Sequence, residues 1–193
     1  MPKIINNLNS KYKLDKDKQF FVLTAKNNPK DRVEIELGDS KDATKFFPQQ
    51  KISRWDNEAN VSIRLKAFDG FSVKTETDKI KLVTPEKEVH LYQVEDGEGA
   101  SEFEIVLNEK PRSNVMEFSV VDKDVEYFYQ APLTVEEIEQ GANRPPEVEG
   151  SYAVYAKTSK VNYVGGKEYK TGKVGHIYRP KIVDSAGKEV WGE

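Results

Sequence analysis

Apolar side chains recur at every second position along most apolar segments of this chain, the period that puts one face of a strand on a core and the other in water. The clearest stretch is residues 102 to 130, EFEIVLNEKPRSNVMEFSVVDKDVEYFYQ. Here Phe103, Ile105 and Leu107 alternate with Glu102, Glu104 and Val106, so the first three are expected on one buried sheet face. Pro111 cannot donate to a ladder, and the Asn and Ser residues around it favour local side-chain bonds, which makes 108 to 114 a loop. Residues 115 to 121 read as the return strand. Asp122-Lys123-Asp124 then turns the chain into 125 to 130, where Tyr127 and Tyr129 share a face. The pattern predicts a three-stranded meander.

Upstream, residues 1 to 19 are rich in Lys and Asn without a regular period, and read as an extended arm that could add one edge strand. Residues 19 to 25 and 33 to 37 form a hairpin around KNNPKDR, closed by Gly38. Residues 51 to 55 and 61 to 68 flank Asp56-Asn57-Glu58, and Asp69-Gly70 predicts a tight turn that pairs 61 to 68 with 71 to 75. Residues 80 to 83 and 89 to 94 are further strands, followed by Asp96-Gly97-Glu98-Gly99-Ala100-Ser101, which has the composition of a linker. Thr134 with Glu137 three residues on is a capping box, and Gly141 sits where a left-handed cap ends a helix, so one short helix is expected near 134 to 140. Residues 151 to 157, with Tyr152 and Tyr155 on opposite faces, 169 to 180, and 188 to 191 complete the strands.

These elements predict an all-β fold with a β-sandwich, jelly-roll or immunoglobulin-like in style, and one short helix. The linker places a boundary between an N-terminal β domain, residues 1 to 97 with its arm 1 to 19, and a C-terminal β-sandwich domain, residues 98 to 193. The pattern stops at Val190-Trp191, so the second domain is expected to be incomplete, with an open edge filled by a strand from another copy or by a continuation of the chain.

Composition narrows the partners. The 193 residues hold 37% hydrophobic and 33% charged side chains, and the apolar ones fall at periodic spacings, so the chain is wet but ordered. Its 30 basic and 33 acidic residues are interspersed at a net charge of -3, which gives no basic stripe for phosphates, so nucleic acid is not an expected partner. No apolar run has signal-peptide or membrane-spanning length, and no membrane insertion is expected. The absence of cysteine excludes disulfides, Cys-ligated metals and a Cys nucleophile.

Four segments carry a resemblance: Lys51-Ile-Ser-Arg-Trp-Asp-Asn-Glu58, Phe103-Glu-Ile-Val-Leu-Asn-Glu-Lys-Pro111, Gly150-Ser-Tyr-Ala-Val-Tyr155, and Lys170-Thr-Gly-Lys-Val-Gly-His-Ile-Tyr-Arg-Pro-Lys181. Together they resemble an uncharacterised group of β-rich proteins predicted from uncultivated bacteria and their phages. The likeness runs along most of the chain. It implies a phage-particle or cell-surface setting, a virion or extracellular location, and further strands after Trp191-Gly192. It carries no functional residue over.

Nucleophile elbows, Walker loops, dinucleotide fingerprints, HExxH and EF-hand spacings are absent. His90 lies between Val89 and Leu91 and reads as a satisfied or solvent-facing strand residue. His176, with Tyr178, Arg179 and Tyr169 nearby, is the better candidate, since an imidazole, a phenol and a guanidinium on one sheet face could hold a sugar or an anion. Asp122 and Asp124 in one turn, and Asp56, Asn57 and Glu58 in another, could supply oxygen ligands to Ca²⁺, although acidic turns are common in such loops, ordinary turn chemistry is the better explanation and no cofactor is expected. The enriched resource is aromatic: nine Tyr, nine Phe and two Trp. Most belong to the core, but Trp55, Tyr152 and Tyr155, with the Tyr127/Tyr129 pair, could line a binding surface for glycan or protein.

The expected function is therefore a non-enzymatic structural or interaction module working with other protein subunits, as a homo-oligomer or larger assembly. The alternative is a carbohydrate-binding module that uses exposed aromatics.

Overall fold

A computed structural model describes residues 20–25, 28–42, 44–76, 78–94, 99–164 and 167–192. The expectation for the arm 1 to 19 lies outside the described residues. The chain forms two compact units, Met1–Lys123 with Tyr163–Glu168, and Asp124–Asn162 with Tyr169–Glu193.

Unit 1 is a sandwich of two antiparallel sheets. One contains β1 (Phe20–Thr24), β2 (Glu34–Gly38), β3 (Gln49–Arg54), β4 (Ala59–Leu65) and β9 (Phe118–Lys123), in that order. The other contains β5 (Ser72–Thr75), β6 (Ile80–Val83), β7 (Lys87–Val94) and β8 (Ala100–Leu107). Alternation aims Leu23, Ile35 and Leu37 of the first sheet at Ile80, Leu82, Val89 and Leu91 of the second, and all seven are 0% exposed. Each contributes about 1.5–3 kcal/mol by leaving water. The all-β sandwich expected from the alternation is present.

Its wiring differs from the sequence reading in three places. The expected boundary near residue 97 joins two paired strands, with Val94 opposite Ala100. The chain instead divides between Lys123 and Asp124. Residues 61 to 75 are not a hairpin: β4 pairs with β3 and β9, whereas β5 pairs with β6 in the other sheet. The link between them carries Phe68 into the core and stacks it on Phe71, with ring centroids 5.0 Å apart, so burial of an aromatic overrides the tight-turn signal of Asp69-Gly70. The meander of residues 102 to 130 is also broken up. β8 and β9 lie in opposite sheets, and Phe103 meets Phe118 edge to face at 5.5 Å, but β9 adds no residue to the core: Phe118, Val120 and Val121 are 40%, 50% and 64% exposed. Phe103 and Ile105 pack against the core as expected, while Leu107 is 41% exposed.

Unit 2 is thinner than the C-terminal sandwich expected for residues 98 to 193. A three-stranded sheet has the order β10 (Val125–Tyr129), β11 (Tyr152–Ala156) and β14 (Lys173–Ile177). Val125, Ala153, Val154 and Val174 are its buried hydrophobic side chains. In the same unit β15 (Lys181–Val183) pairs with β16 (Glu189–Trp191), so Val190 and Trp191 do have strand partners, whereas β12 (Asn162–Val164) pairs with β13 (Lys167–Tyr169) in a hairpin whose Tyr163–Glu168 belong to unit 1.

The helix α1 (Val135–Glu139) begins as its sequence demands: Thr134 Oγ1 accepts from Glu137 N at 3.2 Å, and Glu137 Oε2 accepts from Thr134 N at 2.8 Å. At its end Gly141, at φ 87°, donates to Ile138 O while Ala142 donates to Glu137 O, the paired bonds of a Schellman cap.

Candidate interaction surface

The ladder of β10, β11 and β14 sorts the aromatic residues of unit 2 onto two faces. Residues opposite each other on neighbouring strands point to the same side. Tyr129 lies opposite Tyr152, which lies opposite Ile177, and Tyr127 lies opposite Val154. The rings of Tyr129 and Tyr152 are 5.3 Å apart at 50°, and those of Tyr127 and Tyr152 are 6.5 Å apart at 85°. Tyr129 is 56% and Tyr152 43% exposed, so this face carries a solvent-facing tyrosine cluster rooted on buried Val125 and Val154.

On the other face Phe128, Ala153 and His176 form one row. Tyr155 packs edge to face on Phe128 at 5.5 Å, and His176 stacks on Tyr178 at 4.5 Å. Burial, and after it the charge of Lys173, holds the His176 imidazole below its ordinary value. Its Nε2 lies 2.6 Å from Ser151 Oγ. That hydroxyl already donates its single proton to Val148 O, so the imidazole is the donor and Ser151 the acceptor. A serine nucleophile needs the opposite polarity and an open approach, and Ser151 is 1% exposed. The pair ties the turn before β11 to β14.

The remaining candidates are placed separately. Trp55 belongs to unit 1, in the β3–β4 turn, at φ 52°. Tyr169 ends β13 and is 45% exposed. Arg179 follows β14: its Nε donates to Gly192 O at 2.8 Å and its side chain lies along Gly150. The acidic turns have their own partners: Asp56 pairs with Arg32, Asn57 Oδ1 accepts from Asn60, and Asp124 accepts from Thr158. Among the described residues no group of three or more His, Asp or Glu is set to hold a metal. His90 is enclosed, with Nδ1 2.7 Å from Glu104 and Nε2 2.8 Å from Glu88, so neither ring nitrogen serves a ligand.

Two features of unit 1 were not legible in the sequence. A groove of about 460 Å³ is lined by Phe47, Phe68, Phe71, Val73, Lys45 and Arg64. Its guanidinium is already committed, lying 4.2 Å from the Phe47 ring centre and bonding to Gln49 and Asp39. The second feature is a buried polar clasp. Asp31, 2% exposed, takes Arg54 Nη1 at 2.9 Å and the main-chain N–H of Tyr163 on both oxygens, at 2.9 and 3.0 Å. Asn28, 0% exposed, donates to Tyr163 O at 2.7 Å. Lys30 closes the rim, 2.8 Å from Glu168 and 4.5 Å from the Tyr163 ring centre. The polar residues of KNNPKDR have the composition of an ordinary loop, so the clasp leaves no local mark in the sequence.

No protein-family model, curated protein or solved structure matches the chain.

Proposed function

We propose that this chain is a non-enzymatic structural and interaction module that assembles with other protein subunits, copies of itself included, through the tyrosine face of β10 and β11. The observation that carries this reading is the exposed pair Tyr129 and Tyr152, with half-buried Tyr127 beside them, on a thin sheet. Tyrosine offers large, stiff, amphipathic contact area at low entropic cost, and it is enriched where proteins meet. Ring geometry favours protein over an extended glycan, because the three rings do not form one coplanar platform: Tyr152 is inclined at 50° to Tyr129 and at 85° to Tyr127. The setting, a phage particle or bacterial surface assembly, rests on the sequence resemblance alone.

Sedimentation velocity over a concentration series, on the wild type and the Tyr129→Ala/Tyr152→Ala variant, tests the reading beside a glycan array. The expected result is association that weakens about tenfold or more in the variant, as for hot-spot tyrosines, with a blank array. A wild type that stays monomeric throughout, or glycan binding that the variant loses, overturns it.

A further inference from the structure

The four-stranded sheet of unit 1 ends on β5, which pairs with β6 on one side and, among the described residues, with no strand on the other. One bond fixes the phase of that edge. Glu76 N donates to Lys79 O at 2.9 Å across the turn from β5 to β6, and antiparallel ladders alternate bonded with non-bonded pairs. Ser72 and Lys74 therefore bond to β6, while Val73 and Thr75 turn their N–H and C=O outward. Unpaired main chain on a sheet edge is a template for another strand. The groove lies directly beside this edge. Val73, opposite the core residue Leu82, aims its side chain to the core side of the sheet, is 40% exposed, and lines the groove together with buried Phe68 and half-buried Phe47 and Phe71. A space of about 460 Å³ has the size of a ligand site and takes a large apolar side chain.

Charge selects the occupant. Lys74 is exposed on the outer face of β5, opposite Lys81, whose ammonium is already taken by Glu76 at 2.8 Å. At the groove Lys45 meets Asp69 only at 3.8 Å, with side chains 61% and 84% exposed, so water screens that pair. A lysine on an edge strand repels basic strands and deters indiscriminate pairing, and an acidic strand turns the same lysine into an attraction. We infer that the open edge of β5 and the groove beside it dock an extended peptide of a partner protein in which a large apolar side chain stands between two acidic ones. The peptide joins the sheet as a fifth strand. Its main chain bonds to Val73 and Thr75, its apolar side chain enters among Phe47, Phe68 and Phe71, and its carboxylates lie beside Lys74 on the outer face. This contact belongs to unit 1 and is independent of the tyrosine face of unit 2.

Labelled peptides of the form Gly-Ser-Thr-Glu-X-Glu-Thr-Ser-Gly, with Leu, Phe or Trp at X, are titrated against the full chain by fluorescence anisotropy, beside versions with Lys for both Glu or Ala at X. Saturable binding of at least one acidic peptide is expected, with slower amide exchange at Val73 and Thr75 and weak or no binding of the Lys and Ala versions. Lys74→Glu changes an exposed side chain and leaves the core alone; it should weaken the acidic peptide about tenfold and strengthen the Lys version. Val73→Pro deletes an N–H that points away from β6, a place where a sheet edge tolerates proline, and should also weaken binding. No saturation by any acidic peptide up to about 1 mM overturns the inference. So does equal binding of the Lys version, or binding that Lys74→Glu leaves unchanged. If 3-phenylpropanoate alone binds as tightly and leaves exchange at Val73 and Thr75 unaltered, the groove serves a small aromatic acid and the peptide reading falls.

Discussion

Asp31 receives the main-chain N–H of Tyr163 on both carboxylate oxygens across a separation of 132 residues. The same carboxylate faces Arg54 at 2.9 Å, with side chains only 3% and 10% exposed. Removing it strips a buried guanidinium of its counter-charge, so Asp31→Ala is expected to cost about 3–5 kcal/mol in urea unfolding. Asn28→Ala removes a neutral partner and should cost less, about 1–3 kcal/mol. Losses below about 1 kcal/mol for both would show that the clasp does not hold unit 1 together.

Phe103 and Leu107 lie on the same side of β8 but differ in what covers them. Phe103 packs on the core and on Phe118, while Leu107 is 41% exposed. Phe103→Ala should cost about 3 kcal/mol and Leu107→Ala less than about 1 kcal/mol. Equal losses in the two unfolding curves would contradict the placement of β8.

The caps of α1 are testable because the helix buries no residue of its own. Thr134→Ala should cost about 1 kcal/mol. Gly141→Ala meets no atom within 4 Å, so any cost comes from φ 87° alone, again about 1 kcal/mol. Faster amide exchange at Glu137 and Ile138 should accompany both changes, and unchanged exchange would argue against these caps.

His176 predicts a pH dependence. Burial and Lys173 depress its folded value below the ordinary 6.5, so the unfolded chain takes the proton first as pH falls. Its contribution is present above about pH 6.5 and is lost progressively as pH drops toward the folded value. In urea midpoints measured from about pH 8 to pH 5, His176→Gln should flatten the decline. An identical slope in wild type and variant would assign the decline to other groups.

The sequence by itself determined what is local. Alternation at Phe103 and Ile105 marked a strand face, Thr134 and Glu137 built their capping box, and Tyr127, Tyr129 and Tyr152 were marked as strand tyrosines beyond the needs of a core. These outcomes depend on backbone period and on bonds a few residues long, so neighbouring residues suffice to settle them. Tertiary structure decided which strands meet. Alternation marks a buried face on β8 but does not say that β9 joins the opposite sheet with its apolar residues exposed, and Asp69-Gly70 marks a reversal without saying which sheet receives β5. The same holds for the candidate sites. Nothing local distinguishes Asp31 from Asp56, yet the first lies buried against Arg54 and Tyr163 while the second pairs with Arg32 on the surface. Partner choice depends on contacts more than a hundred residues apart, and those are fixed by the combined burial of many side chains and by the need to satisfy each polar group it encloses.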